Sequence, residues 1–121
     1  MFRSYKGFGK EICRVKYSME ITESAKKDLK QILDYISETL CNKQAALKLL
    51  ELVKESLNDI ADIPDGFPLA KDQYLRNMGI RFVPVKNYII FYTVDSAQKK
   101  VYIIRVMYGK RNWIEILKDN F

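Results

Sequence analysis

Arg105, Tyr108, Lys110 and Arg111 fall within seven residues, at the end of a β-prone segment, Val101–Tyr108. Arginine and lysine at one sheet end can hold a phosphate or meet an acidic partner, and a tyrosine there can move a proton. The chain has no histidine, so its commonest general base at neutral pH is missing. Proton chemistry would fall to Tyr, Lys, Arg or carboxylates. Cys13 and Cys41 have no C-x-x-C spacing and no histidine to complete a zinc site. They read as small apolar residues in a reducing compartment rather than a disulfide, and neither a metal nor a cofactor is expected.

The net charge of +6 is segregated along the chain. Residues 1–18 carry +4, residues 19–70 carry −4, residues 71–111 carry +7, and residues 112–121 carry −1. The cationic surface therefore belongs chiefly to the C-terminal half, which suits a polyanionic or acidic partner. Arg81, Lys86, Arg105, Lys110 and Arg111 are its candidate phosphate- or partner-binding residues. No apolar run reaches the roughly 20 residues of a membrane span. Arg3 and Lys6 are not followed by the apolar stretch of a signal peptide, so the expected compartment is the cytoplasm.

These residues need elements to position them. With 121 residues the chain is long enough for one domain. Residues 1–11, with two glycines and no period, read as a flexible extension, and 12–121 as the domain. Alternation over Ile12–Ile21 predicts a strand. Thr22 is a candidate N-cap, and Ala25, Leu29, Ile32, Leu33, Ile36 and Leu40 form one helical stripe. After a break at Cys41-Asn42, a second helix carries Ala46, Leu49, Leu50, Val53, Leu57 and Ile60 and stops before Pro64. Residues 64–79 read as an ordered loop. Ile80–Val85, Tyr88–Val94 and Val101–Tyr108 form an antiparallel meander, with Pro84 marking an edge or a bulge. Asn112 can cap a short last helix bearing Trp113, Ile116 and Leu117. The fold class is α+β, with a helical hairpin on one face of the sheet and the other face partly open.

The chain resembles the RelE/ParE family of bacterial toxins, of the plasmid-stabilisation type, over about residues 12–117. EITESAKKDLKQILDYISE looks like the family's opening helix, and NKQAALKLLELVKESLNDIADIPDGFPL like its second helix and exit. GIRFVPVKNYIIFYTVD and VYIIRVMYGKRNW are similar to its strands. The resemblance implies the β-α-α-β-β-β-α layout and the toxin of a type II toxin–antitoxin system, neutralised by a small antitoxin, with a heterotetramer as one assembly. Two targets follow from it. ParE-like toxins act on DNA gyrase; RelE-like ones cleave mRNA on the ribosome. A third reading is an inactive relative that keeps only antitoxin binding.

Carried over by position, Arg111 matches the RelE-type phosphate-stabilising arginine, with Lys110 beside it, and Arg81 matches one of two basic positions. Val83, Ile89 and Leu117 stand where the RelE pattern has a second basic residue, an arginine and a tyrosine. If the protein is a nuclease, Arg81, Arg111 and Tyr108 are its catalytic candidates, with Tyr92 and Lys86 as substitutes for missing groups. The R-V-x-x-G strand is closer to the ParE-type pattern, which favours gyrase.

Overall fold

A computed structural model of the protein describes residues 17–109. Strand β1 is Ser18–Ile21; helix α1, Glu23–Asp34, runs on into a π-helical turn, Tyr35–Thr39. Helix α2 is Lys43–Asp62, and α3 is the short Gln73–Asn77. Strands β2 (Arg81–Val85), β3 (Tyr88–Asp95) and β4 (Lys100–Tyr108) complete the order. The expected strand from Ile12 is thus described only in its second half. The expected final helix lies outside the described residues, as do Cys13, Lys110 and Arg111.

The sheet order is β1-β4-β3-β2. The meander is antiparallel as expected, and β1 adds beside β4 in parallel, making the sheet mixed. That parallel step needs a crossover long enough to span the sheet, which the helical hairpin supplies. Thr22 ties the two together. Its hydroxyl accepts from the Ala25 N–H at 3.3 Å, capping α1, and lies 2.9 and 3.0 Å from the carbonyls of Ile103 and Ile104. Cys41, at φ 52, reverses the chain, and the Asn42 side chain caps α2 through the Ala45 N–H at 3.0 Å. Cys41 is exposed at this turn rather than packed as a small apolar residue.

Alternation along the strands divides two apolar clusters. Val83, Val85, Ile90, Tyr92, Val101 and Ile103 face the helical hairpin and pack on Ala25, Ile36, Ala46, Leu49, Val53 and Ile60. On the opposite face, Phe91 and Met107 are covered by Ala70, Leu75 and Ile80. The segment read as loop therefore contains a helix, α3, capped by Asp72, whose role is to bring Leu75 onto the second face. Five residues hold too little periodicity to reveal a helix in sequence. Burying each large side chain of these clusters contributes about 1.5–3 kcal/mol.

A one-residue bulge breaks the β3–β4 register: Tyr92 pairs with Ile103, but Phe91 pairs with Arg105. The extra residue, Ile104, inverts the alternation beyond it. Val106 consequently packs in the hairpin-side cluster, Met107 in the other, and Tyr108 comes opposite Tyr88. Pro84 is exposed on β2, an outer strand of the sheet, as its missing donor requires.

Candidate functional site

One end of the sheet gathers the turn between β2 and β3, the end of β4 and the end of α1. Lys86, in left-handed conformation at φ 57, and Asn87 form the turn. The Asn87 carbonyl accepts the Gly109 N–H at 2.8 Å, so the chain leaves β4 pinned beside this turn and continues into Lys110 and Arg111. Tyr88 and Tyr108 meet edge to face, with ring centroids 5.7 Å apart. Tyr35 and Leu40, from the π-turn and its end, stand over them, and both are more than half exposed. Gln31, Ile32, Tyr35, Leu40, Tyr88 and Tyr108 line a hollow of about 530 Å³. A second hollow, lined in part by Ile36, Leu40, Lys48, Lys86 and Tyr88, adjoins it. Burial, then the neighbouring Tyr108 and Tyr35, push the Tyr88 hydroxyl above its ordinary pKa, so it is a neutral hydrogen-bonding group.

The other candidates are placed elsewhere. Arg81 opens β2, opposite Tyr92, and its guanidinium donates to the Phe67 carbonyl and pairs with Asp65 at 3.6 Å. From Tyr108 it is separated by about 13 Å along the strands and roughly 10 Å across two strand spacings. A single phosphate does not bridge them. Arg105 is turned inward. Its Nε and Nη2 donate to the two oxygens of Asp28 at 2.6 and 2.9 Å, and the Val106 N–H donates to the same carboxylate at 3.0 Å. Of the two fates open to an arginine in an apolar strand, facing a site or pairing with a carboxylate, it takes the second. The bond to Asp28 raises its pKa further. Tyr92 is fully buried, donates to the Pro64 carbonyl at 2.8 Å and is held neutral by burial. It is a core residue and does not substitute for a catalytic group. Val83 is buried in the hairpin-side core, and Ile89 packs against the second cluster.

Sequence alone marks none of Tyr35, Gln31 and Leu40 as site residues. By period Leu40 belongs to the inward stripe, but it follows the π-turn and is 54% exposed. The available signal was an aromatic residue, Tyr35, off the apolar stripe of an amphipathic helix. Among the described residues, no group of Cys, Asp or Glu is placed to hold a metal, and no helix is long and apolar enough to cross a membrane.

The architecture has known counterparts. A chromosomal ParDE system from P. aeruginosa superposes with a TM-score of 0.64 at 19% identity, over 78% of this chain and 98% of that one. A doubly substituted E. coli toxin RelE in the free state gives 0.58 at 16% identity, over 88% and 100%. The RelBE2 toxin–antitoxin complex of Mycobacterium tuberculosis gives 0.54 at 19%, over 78% and 99%. At these identities the likeness establishes the fold. No curated protein matches the sequence. The sequence model for the ParE toxin of the type II toxin–antitoxin system parDE matches residues 19–113, most of the chain. With the strand–hairpin–meander order in place, a fold shared with the ParE and RelE structures, this protein belongs to the ParE toxin family of type II toxin–antitoxin systems.

Proposed function

We propose that this toxin arrests growth in the cytoplasm by contacting DNA gyrase, without bond chemistry of its own, and that a cognate antitoxin neutralises it in a toxin–antitoxin assembly. The observation that carries this reading is the commitment of the strand arginines. Metal-free RNA cleavage needs cations on the non-bridging oxygens of one phosphate, with a base and an acid at opposite sides of it. Arg81 is held by Phe67 and Asp65, Arg105 by Asp28, and the Val83 and Ile89 positions are apolar packing residues. This supports a toxin that works through its surface.

A second reading, a RelE-like ribosome-dependent mRNA endonuclease, draws support from Tyr108. It is 39% exposed, beside Lys86, and Lys110 and Arg111 follow it closely in the sequence. Purified toxin is assayed on gyrase supercoiling and cleavage complexes, and in reconstituted translation with mapping of mRNA 3′ ends. Loss of supercoiling with trapped cleaved DNA, and intact mRNA, is the expected result. Cuts in ribosomal A-site codons that fall about 10²–10³-fold in Arg111→Ala would overturn the gyrase reading.

A further inference from the structure

We propose that the outer face of α2 is the contact surface of a two-fold dimer of this chain, with two copies of α2 packed antiparallel across Leu47. The inference goes beyond the gyrase reading and does not depend on the target. Leu47 is 63% exposed, the most exposed large apolar side chain among the described residues. It borders a hollow of about 270 Å³ whose apolar lining is Leu33, Ala46, Leu50 and Leu47 itself. A protruding leucine beside an apolar recess on one surface is self-complementary. Across a two-fold axis, Leu47 of each copy enters the recess of the other.

The charges on this face choose the direction of packing. Lys43 and Glu51 are both exposed and lie four residues before and four after Leu47. Each is therefore about 6 Å from it along the axis and turned about 40° from it around the helix, in opposite senses. A two-fold axis through Leu47 and perpendicular to α2 sets Glu51 of the second copy against Lys43, and Lys43 of the second copy against Glu51. A parallel alignment would set lysine on lysine and glutamate on glutamate. Among the described residues neither Lys43 nor Glu51 is in an ion pair. Asp34, the other charge lining the recess, is already bonded to Lys30 at 2.8 Å. A uniformly acidic or basic partner would meet a like charge at one end of this face; a second copy meets an opposite charge at both. That balance selects the second copy as the occupant.

The test is sedimentation equilibrium of the full-length protein from micromolar to submillimolar concentration. The variants are Leu47→Glu, Lys43→Glu, Glu51→Lys and the swap Lys43→Glu/Glu51→Lys. All change exposed positions, and a carboxylate at the first residue of α2 suits the helix dipole; circular dichroism confirms that each still folds. The expected wild type is a reversible dimer that Leu47→Glu makes monomeric. Each single charge change should raise the dissociation constant at least about fivefold, and the swap should restore it to within about twofold. A wild type that stays monomeric throughout would overturn the proposal, as would a dimer that all four variants leave unchanged. A swap no tighter than the single changes would overturn the antiparallel pairing. A monomeric wild type whose affinity for the small protein encoded beside its gene falls in Leu47→Glu would give this face to that partner and overturn the dimer.

Discussion

Removing the Asp28 carboxylate should be among the most damaging single changes available in this fold. β1 pairs with β4 only from Lys100 to Ile103, so on that edge the far half of β4 has no strand beside it among the described residues, while β3 pairs along the other edge. Thr22 takes up the Ile103 and Ile104 carbonyls, and nearly two turns later Asp28 accepts the Val106 N–H. Helix α1 thus supplies with two side chains the hydrogen bonds a longer β1 would have made. Asp28→Ala leaves two groups stranded. One is the Arg105 guanidinium, whose side chain is 15% exposed; the other is the Val106 amide. Breaking a buried ion pair from one side costs about 3–5 kcal/mol, and the partial solvent access of Arg105 puts this case near 3. For a domain of this size that is a fall in Tm of roughly 10–20 °C. Asp28→Asn keeps one acceptor and should lose about 1–2 kcal/mol. Arg105→Met leaves Asp28 still bonded to Val106 and should cost less than Asp28→Ala. The double variant Asp28→Leu/Arg105→Met should recover most of the loss, since no charge is then buried alone, but stay about 1 kcal/mol short for the unmet amide. Urea denaturation of these variants, with the Asp28→Leu single change added to close the double-mutant cycle, gives the coupling. Additive losses, or an Asp28→Ala variant within about 0.5 kcal/mol of wild type, would show that the strap carries no load.

Two further outcomes follow from single positions. Burial raises the Tyr92 pKa, so its neutral hydroxyl stabilises the fold fully below the unfolded value near 10, and that contribution is lost as pH climbs past it toward the folded value. Tyr92→Phe should cost about 1 kcal/mol at pH 8 by orphaning the Pro64 carbonyl. By pH 11 the wild type has lost about 1.4 kcal/mol relative to the variant, so their stabilities should cross between those values; parallel curves would rule the assignment out. Phe82 donates its N–H to the Pro68 carbonyl rather than into the sheet, and Pro84, two residues on, faces the same outer side. Pro84→Thr should therefore give the edge a free donor and promote self-association in light scattering, and a strictly monodisperse variant at high concentration would argue against this role.

The helices and strands were legible because their periods were long enough to read. The stripe from Ala25 to Ile36 and that from Ala46 to Ile60 face the core as expected, save Leu50, which is only partly buried and lines a surface hollow, and Tyr88 and Tyr92 share a face opposite Phe91. What the sequence hid depends on contacts between residues far apart in it. Nothing local marks Asp28 as the partner of Arg105, 77 positions away. On an amphipathic helix it reads as one more solvated carboxylate. Arg81 read as a free cation because its partners, the Phe67 carbonyl and Asp65, lie in the segment that looked like plain loop. Lys110 and Arg111 kept their appeal from sequence alone and lie beyond the described residues.

The bulge explains why strand alternation misplaces the candidate site. Continued unbroken from Val101 and Ile103, period 2 would send Arg105 and Met107 to the hairpin side and Tyr108 to the other face. The added Ile104 reverses this: Met107 joins the second cluster, and Tyr108 comes to Tyr88 beneath α1. It also leaves Arg105 at the irregular step beside α1, where Asp28 takes both it and the displaced Val106 amide. The same irregularity that uses up one arginine in holding the edge therefore builds the tyrosine pair that lines the hollow. Structure and surface are coupled at that step. A change that restores regular pairing there would be expected to dismantle that hollow even if the hydrophobic core survived, because the side chains from Arg105 to Tyr108 would change face.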